Sequence, residues 1–303
     1  MFIADTHSDT LFELGVRHTP LASLMINPDK LRKGGITLQT FALWTGRDGN
    51  RGDVDGIVRG EIGALSVFED AGIAQVDEPR DAKEGEHSFM LSVEGGEVFE
   101  KGLETVDEFR QTGVRMVALT WNNENAIGHP AKSGSKEGLT AYGLKVVRRM
   151  QALGMAADVS HLNEAGFWDL FHKTDVPPMA SHSCVRKLCD HFRNLYDPQI
   201  RAMIEGGGYI GINFYPAFLS EDGKCDVRRV AEHIDYVCQM GGEKIVGFGS
   251  DFDGIETTPE GLNGADTIPA LLDCLRSFGM DEETIAGVAG KNLLAYYDRI
   301  DPR

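Results

Sequence analysis

Eight short apolar runs, strung along 303 residues and separated by longer amphipathic stretches, constrain this chain more than any other feature. The runs are FIADT, GITLQTFALW, HSFMLSVEG, VRMVALTW, MAADVS, PPMAS, GYIGINFYP and EKIVGFGSD. Between most of them lie helical patterns, among them VDGIVRGEIGALSVFEDAG, TAYGLKVVRRMQALG and DVRRVAEHIDYVCQMGG. Each of these ends in glycine, a common helix stop. Strands that alternate with helices predict a parallel sheet. Eight such units predict an α/β fold of the closed (β/α)8 TIM-barrel type, with a doubly wound open sheet as the competitor. Two further helical patterns, TIPALLDCLRSFG and DEETIAGVAGKNLLAYYDRI, follow the eighth run and predict a C-terminal helical extension. No linker, repeat or low-complexity tract divides the chain, so residues 1–303 read as one domain.

In a barrel the carboxyl ends of all strands lie on one rim, where the active site sits. His7 and Asp9 stand at the exit of the first run, Glu94 of the third, His161 of the fifth, His182 of the sixth and Asp251 of the eighth. His7 and Asp9, two residues apart, point to the same face of an extended segment. Taken singly, each residue has an ordinary explanation. A lone histidine is usually a surface or satisfied core residue. Glu94, before Gly95 and Gly96, suits a cap or turn, and Asp251 and Asp253 in SDFDG suit a turn. The other six histidines (His18, His87, His129, His172, His191 and His233) fall in loops or helices. The joint placement is what carries the reading: six metal-type side chains converge on one mouth, enough for two divalent ions. Imidazole with carboxylate suits zinc, with manganese, cobalt or iron as alternatives. Two polar loops, TGRDGNRGDVDG and NNENAIGHPAKSGSKEG, leave the second and fourth runs on the same rim.

The remaining composition removes other classes. A formal charge of −17, from 30 basic against 47 acidic residues, argues against a nucleic-acid partner held through phosphates. No apolar stretch approaches the ~20 residues of a membrane span, and the N-terminus has no secretory leader pattern. Five cysteines, an odd number without a C-x-x-C pair, predict reduced thiols and a cytoplasmic setting.

Beyond the separate ligands, DTHSDT, SVEGGE, LTWNNENAIG, DVSHLN, SHSCVR, HFRNLYD, INFYPAFL and GSDFDGI occur in one order, the first opening at Asp5 and the last closing at Ile255. In this the chain resembles the renal or membrane dipeptidase family, zinc peptidases on amidohydrolase-type barrels. The resemblance implies hydrolysis of dipeptides, L-Xaa followed by an L or D residue, by a water held between two zinc ions. By the same resemblance, His7 and Asp9 bind one zinc, His161 and His182 the other, and Glu94 bridges them. Asp251 falls on the family's catalytic aspartate, and Arg193 on the arginine that binds the substrate's terminal carboxylate. Trp121 stands where mammalian members carry a substrate-contacting histidine, so one of Asn122, Asn123 and Asn125, or the metal, would supply that contact. Tyr215, at the seventh exit, either touches substrate or packs. A homodimer is implied by the resemblance alone. The alternatives are a hydrolase of another small amide or lactone on the same metals, and a non-catalytic metal-binding protein.

Overall fold

A computed structural model describes residues 1–46 and 53–301, so part of the loop TGRDGNRGDVDG lies outside the described residues. The strands are β1 (Ala4–Asp5), β2 (Leu38–Trp44), β3 (Ala74–Gln75), β4 (Ser88–Glu94), β5 (Val114–Ala118), β6 (Ala156–Asp158), β7 (Met179–Ala180), β8 (Tyr209–Ile212) and β9 (Val246–Phe248). Eight of them form a closed parallel ring in the order β1-β2-β4-β5-β6-β7-β8-β9. The ring closes because Asp5 pairs with Gln39 of β2 on one side and with Phe248 of β9 on the other. That closure excludes the open sheet and gives the TIM-type barrel.

The ninth strand, β3, is an outlier of two residues that pairs with Ser88 and Phe89 outside the ring. Its residues are exposed or half-buried, so no apolar run announces it. The ring strands are shorter than the runs that predict them. FIADT keeps only Ala4 and Asp5 in the ladder, and GYIGINFYP only Tyr209–Ile212. The residues beyond the last ladder pair are the ones that turn over the rim.

Two clusters make up the core. The larger fills the space between the ring and the surrounding helices, with Phe41, Leu43, Leu91, Val93, Ile210 and Phe248 from the strands among its members. The smaller draws one residue from each of seven strands (Ala4, Leu38, Met90, Met116, Ala156, Met179 and Tyr209) and seals them with Leu293, Tyr296 and Tyr297. The C-terminal extension thus plugs the barrel's base. Its last helical pattern is interrupted: Glu282–Ala286 and Asn292–Ile300 are separate helices joined by a wide turn over Gly287–Lys291. At Gly290 a side chain would stand 2.7 Å from Phe2, so the break falls where the start of the chain presses on the extension.

At the same end Arg115 is fully buried, with Nη2 2.8 Å from Glu78 and 3.2 Å from Asp301. Arg80 donates to the Asp301 carbonyl at 2.6 Å. Helices start on side-chain caps: Asn27, Asp53, Thr140, Asn163, Asp226 and Asp281 each accept a first-turn backbone N–H. Among the described residues no helix is long and apolar enough to cross a membrane.

Candidate metal centre

The rim is built by fastening the ends of β1 and β9 together. Asp5, buried, accepts the Ser250 backbone N–H at 2.8 Å, the Ser250 hydroxyl, and Gln39 Nε2 at 3.1 Å. Asp251 N donates to the His7 carbonyl at 3.2 Å, and Asp9 N to the Phe252 carbonyl at 3.1 Å. The two segments therefore interleave, which sets Asp251 over His7. Glu94 is the last residue of β4, paired with Trp44 and Ala118 at the ends of its neighbours. His161 and Asp251 adopt left-handed backbone conformations, with φ of +68° and +62°. Few residues other than glycine do so, and such outliers concentrate at functional sites.

Glu94 is the hub. Its Oε1 lies 3.1 Å from His161 Nε2, 3.5 Å from His182 Nε2 and 3.7 Å from His7 Nε2. His7 Nε2 is also 3.5 Å from Asp9 Oδ2 and 3.7 Å from Asp251 Oδ1. The six rim residues form three overlapping trios: His7 with Asp9 and Glu94, Glu94 with His161 and His182, and His7 with His182 and Asp251. In each trio the ligand atoms lie within 4.8 Å of one another.

Several features fit divalent ions. His7 Nε2, His182 Nε2 and Asp9 Oδ1 are buried without a hydrogen-bond partner. Buried polar atoms are seldom left so unless something else takes them. Room is kept by Gly254, where a side chain would stand 2.0 Å from Asp9 Oδ2 and 2.8 Å from Asp251 Oδ1. Imidazole nitrogens and carboxylate oxygens are the donors that zinc and its neighbours prefer.

A second layer orients the imidazoles. Ser181 Oγ donates to Asp158 and sits 2.7 Å from His182 Nδ1, which places the proton on Nδ1 and leaves Nε2 free toward Glu94. Asp158 is itself held by the backbone N–H groups of Ser160 and Ser181, at 2.8 and 3.0 Å. Asn122 Oδ1 lies 3.1 Å from His161 Nδ1 and fixes that ring in the same sense. Burial, with the neighbouring charges of His7 and Arg193, pushes His161 and His182 well below the usual histidine range, which keeps them neutral as ligation requires.

Burial and the Asp9 carboxylate push Glu94 well above its ordinary range. Burial lifts Asp251 to about 6. Burial opposes a charge on His7, but Glu94, Asp9 and Asp251 outweigh it and hold the imidazole up to about 10. Three carboxylates crowding one imidazole make a cluster short of positive charge.

Of the residues proposed to meet substrate, Arg193 is buried, donates from Nη2 to the His182 carbonyl at 3.4 Å, and keeps Nε without a partner. Trp121 is half-buried, edge-on to Trp44 with ring centres 5.0 Å apart and 6.3 Å from the His161 ring. Asn122 directs its carbonyl to His161 rather than to open space. The Tyr215 hydroxyl pairs with Glu256, and its ring meets Phe218 edge-on at 5.0 Å. Sequence reasoning missed Asn213, whose Nδ2 donates to Asp251 Oδ2 at 2.8 Å. It stands just past β8, at a strand exit as the six rim residues do. Asp158 likewise ends β6 and Ser181 directly follows β7, and their role shows only once the contact between them is placed.

Comparison with known proteins agrees with this geometry. Residues 1–301 match the family described as membrane dipeptidase, peptidase family M19. A Klebsiella pneumoniae protein from the pqqA 5′ region is 36% identical over 217 residues, covering 68% of this chain and 80% of its own. A dipeptidase of Schizosaccharomyces pombe is 31% identical over 224 residues, 72% of this chain but 54% of the yeast protein. The crystal structure of a Rhodobacter sphaeroides metallopeptidase, bound to a phosphinate mimic of L-Ala-D-Ala, superposes with a TM-score of 0.90 at 24% identity and covers 99% of both chains. The chain belongs to the membrane dipeptidase family and, with it, to the metal-dependent dipeptidases.

Proposed function

We propose that this protein hydrolyses dipeptides at a pair of divalent ions, zinc in the first instance, held by His7, Asp9, Glu94, His161 and His182 with Glu94 shared. The observation that carries this reading is the position of Glu94, one oxygen of which faces three imidazole nitrogens at 3.1, 3.5 and 3.7 Å. Divalent ions there supply Lewis-acid polarisation of a carbonyl and acidification of water. The remaining work falls to the chain's own side chains. Asp251, steadied by Asn213 and lifted to about 6, accepts a proton and passes it to the leaving amine, as general base and then general acid.

Arg193, with an uncommitted Nε, clamps the terminal carboxylate by a charge-assisted contact. That clamp measures length, because a dipeptide sets its carboxylate at Arg193 and a longer chain does not. Trp121 and Asn122 border the mouth beside His161, and Tyr215 stands at the exit of β8. All five cysteines are free thiols, in keeping with a cytoplasmic setting.

The test pairs metal content with activity on one sample. Elemental analysis should find about two ions per chain, and cleavage of L-Ala-D-Ala or L,L dipeptides should vanish on chelation and return with zinc. Arg193→Met should raise KM for dipeptides. A protein that takes up no metal even from added zinc would overturn the reading.

A further inference from the structure

On a chain of formal charge −17, one cleft of about 330 Å³ is lined by three cations, Lys136, Arg186 and Arg193, against a single acid, Glu164. It lies between the loop that follows β5, the start of helix Glu164–Lys173 and the segment after β7. Val159 and Leu162 in its wall flank His161, and Ser183 follows His182, so the cleft backs directly onto the metal centre. Arg193 belongs to both, with Nη2 on the His182 carbonyl and the partnerless Nε buried beside the cleft.

Of the other two cations, Arg186 is held by its side chain, and exposed Lys136 by its backbone turn alone. Among the described residues Lys136 makes no ion pair, and the turn that carries it is pinned by Asn163 Nδ2, which donates to the carbonyls of Ser135 at 3.1 Å and Glu137 at 2.8 Å. Arg186 gives Nε to Asp190 at 2.7 Å and lays its guanidinium over Tyr196 at 4.4 Å, which leaves its terminal donors for a ligand. Glu164, the one acid, accepts from Trp168 Nε1 at 3.4 Å. The aromatic wall of Phe167 and Trp168 suits a short aliphatic stem.

We infer that this cleft holds a second carboxylate of the substrate, so that the enzyme prefers dipeptides whose second residue is aspartate or glutamate. The inference rests on the dipeptidase reading: Arg193 takes the terminal carboxylate, and Lys136 with Arg186 takes the side-chain carboxylate next to it. A neutral isostere loses the charge-assisted contacts and keeps the shape.

The test compares kcat/KM for Ala-Glu and Ala-Gln on the zinc-loaded enzyme. Ala-Glu should lead by about tenfold, the scale of one hydrogen bond to a charged group, with the difference in KM and shrinking as salt is added. Lys136→Met with Arg186→Met should bring the ratio close to one, and Lys136→Arg should keep it. Equal efficiency toward both peptides, or a ratio that the double variant leaves unchanged, overturns this inference while the dipeptidase reading stands. Non-competitive modulation by free glutarate would make the cleft an effector site and also overturn it. If neither peptide, nor Ala-Ala, is cleaved by metal-loaded protein, the dipeptidase reading falls and takes the inference with it.

Discussion

Asp251 does two things that a substitution can separate: it holds a left-handed backbone turn at φ +62° and it presents a carboxyl to the mouth. Asparagine tolerates the same backbone region, so Asp251→Asn removes the titrating oxygen and leaves the turn. The variant should retain its metal by elemental analysis while kcat drops about 10²–10⁴-fold, the usual weight of a positioned acid–base group. Loss of metal along with turnover would make Asp251 a ligand instead. At this scale the sequence was readable at the strand exits, where His7, Glu94, His161, His182 and Asp251 stand. It was silent on Asp158, Ser181 and Asn122, which act on other side chains: Asp158 meets Ser181 across 23 residues and Asn122 meets His161 across 39.

Among the elements, the segment carrying Arg193 depends on a histidine outside the centre. His233, on helix Val227–Val237, accepts the Val185 N–H at Nδ1 and faces the Leu219 carbonyl from Nε2, both at 3.1 Å. Both ring nitrogens are used by the neutral form, and burial pushes the group from 6.5 down to about 4. An unfolded chain therefore takes up the proton first as pH falls. The stability His233 confers is complete above about 6.5 and is lost progressively toward about 4, with a ceiling of about 3 kcal/mol.

Glutamine offers the same donor and acceptor without titrating. Thermal melts at pH 7 and pH 5 should show a smaller drop for His233→Gln than for the natural protein, and equal drops would refute the assignment. The barrel strands were predictable from their apolar runs. The two-residue β3 was not, because it has no run. The break near Gly290 was not, because its cause is Phe2, distant in sequence and adjacent in space.

The whole molecule separates its two polar centres, with the six candidate ligands on one rim and a buried ion network at the base. Arg115 sits in an apolar run and has no exposure, and Asp301 comes to it from 186 residues away. Removing one partner of a buried pair costs about 3 kcal/mol where the remaining charge is left stranded, and less here because Arg115 keeps Glu78 at 2.8 Å. Asp301→Ala should lower the denaturant midpoint accordingly while kcat per folded molecule holds. A fall in kcat at full folding would mean that the two ends are coupled. Counting alternating runs was enough to reach the closed barrel, but an arginine inside a run says nothing about which acid it will meet.

Ring closure has a consequence for synthesis. β1 begins at Ala4, yet its second neighbour is Phe248, and the last of the six rim residues is Asp251. A chain growing on the ribosome makes His7 and Asp9 more than 240 residues before Asp251, so the cluster is completed only when β9 and the turn beyond it have been made. No nascent product that stops short of Asp251 carries all six rim residues, so under the proposed function peptidase activity arrives in one late step.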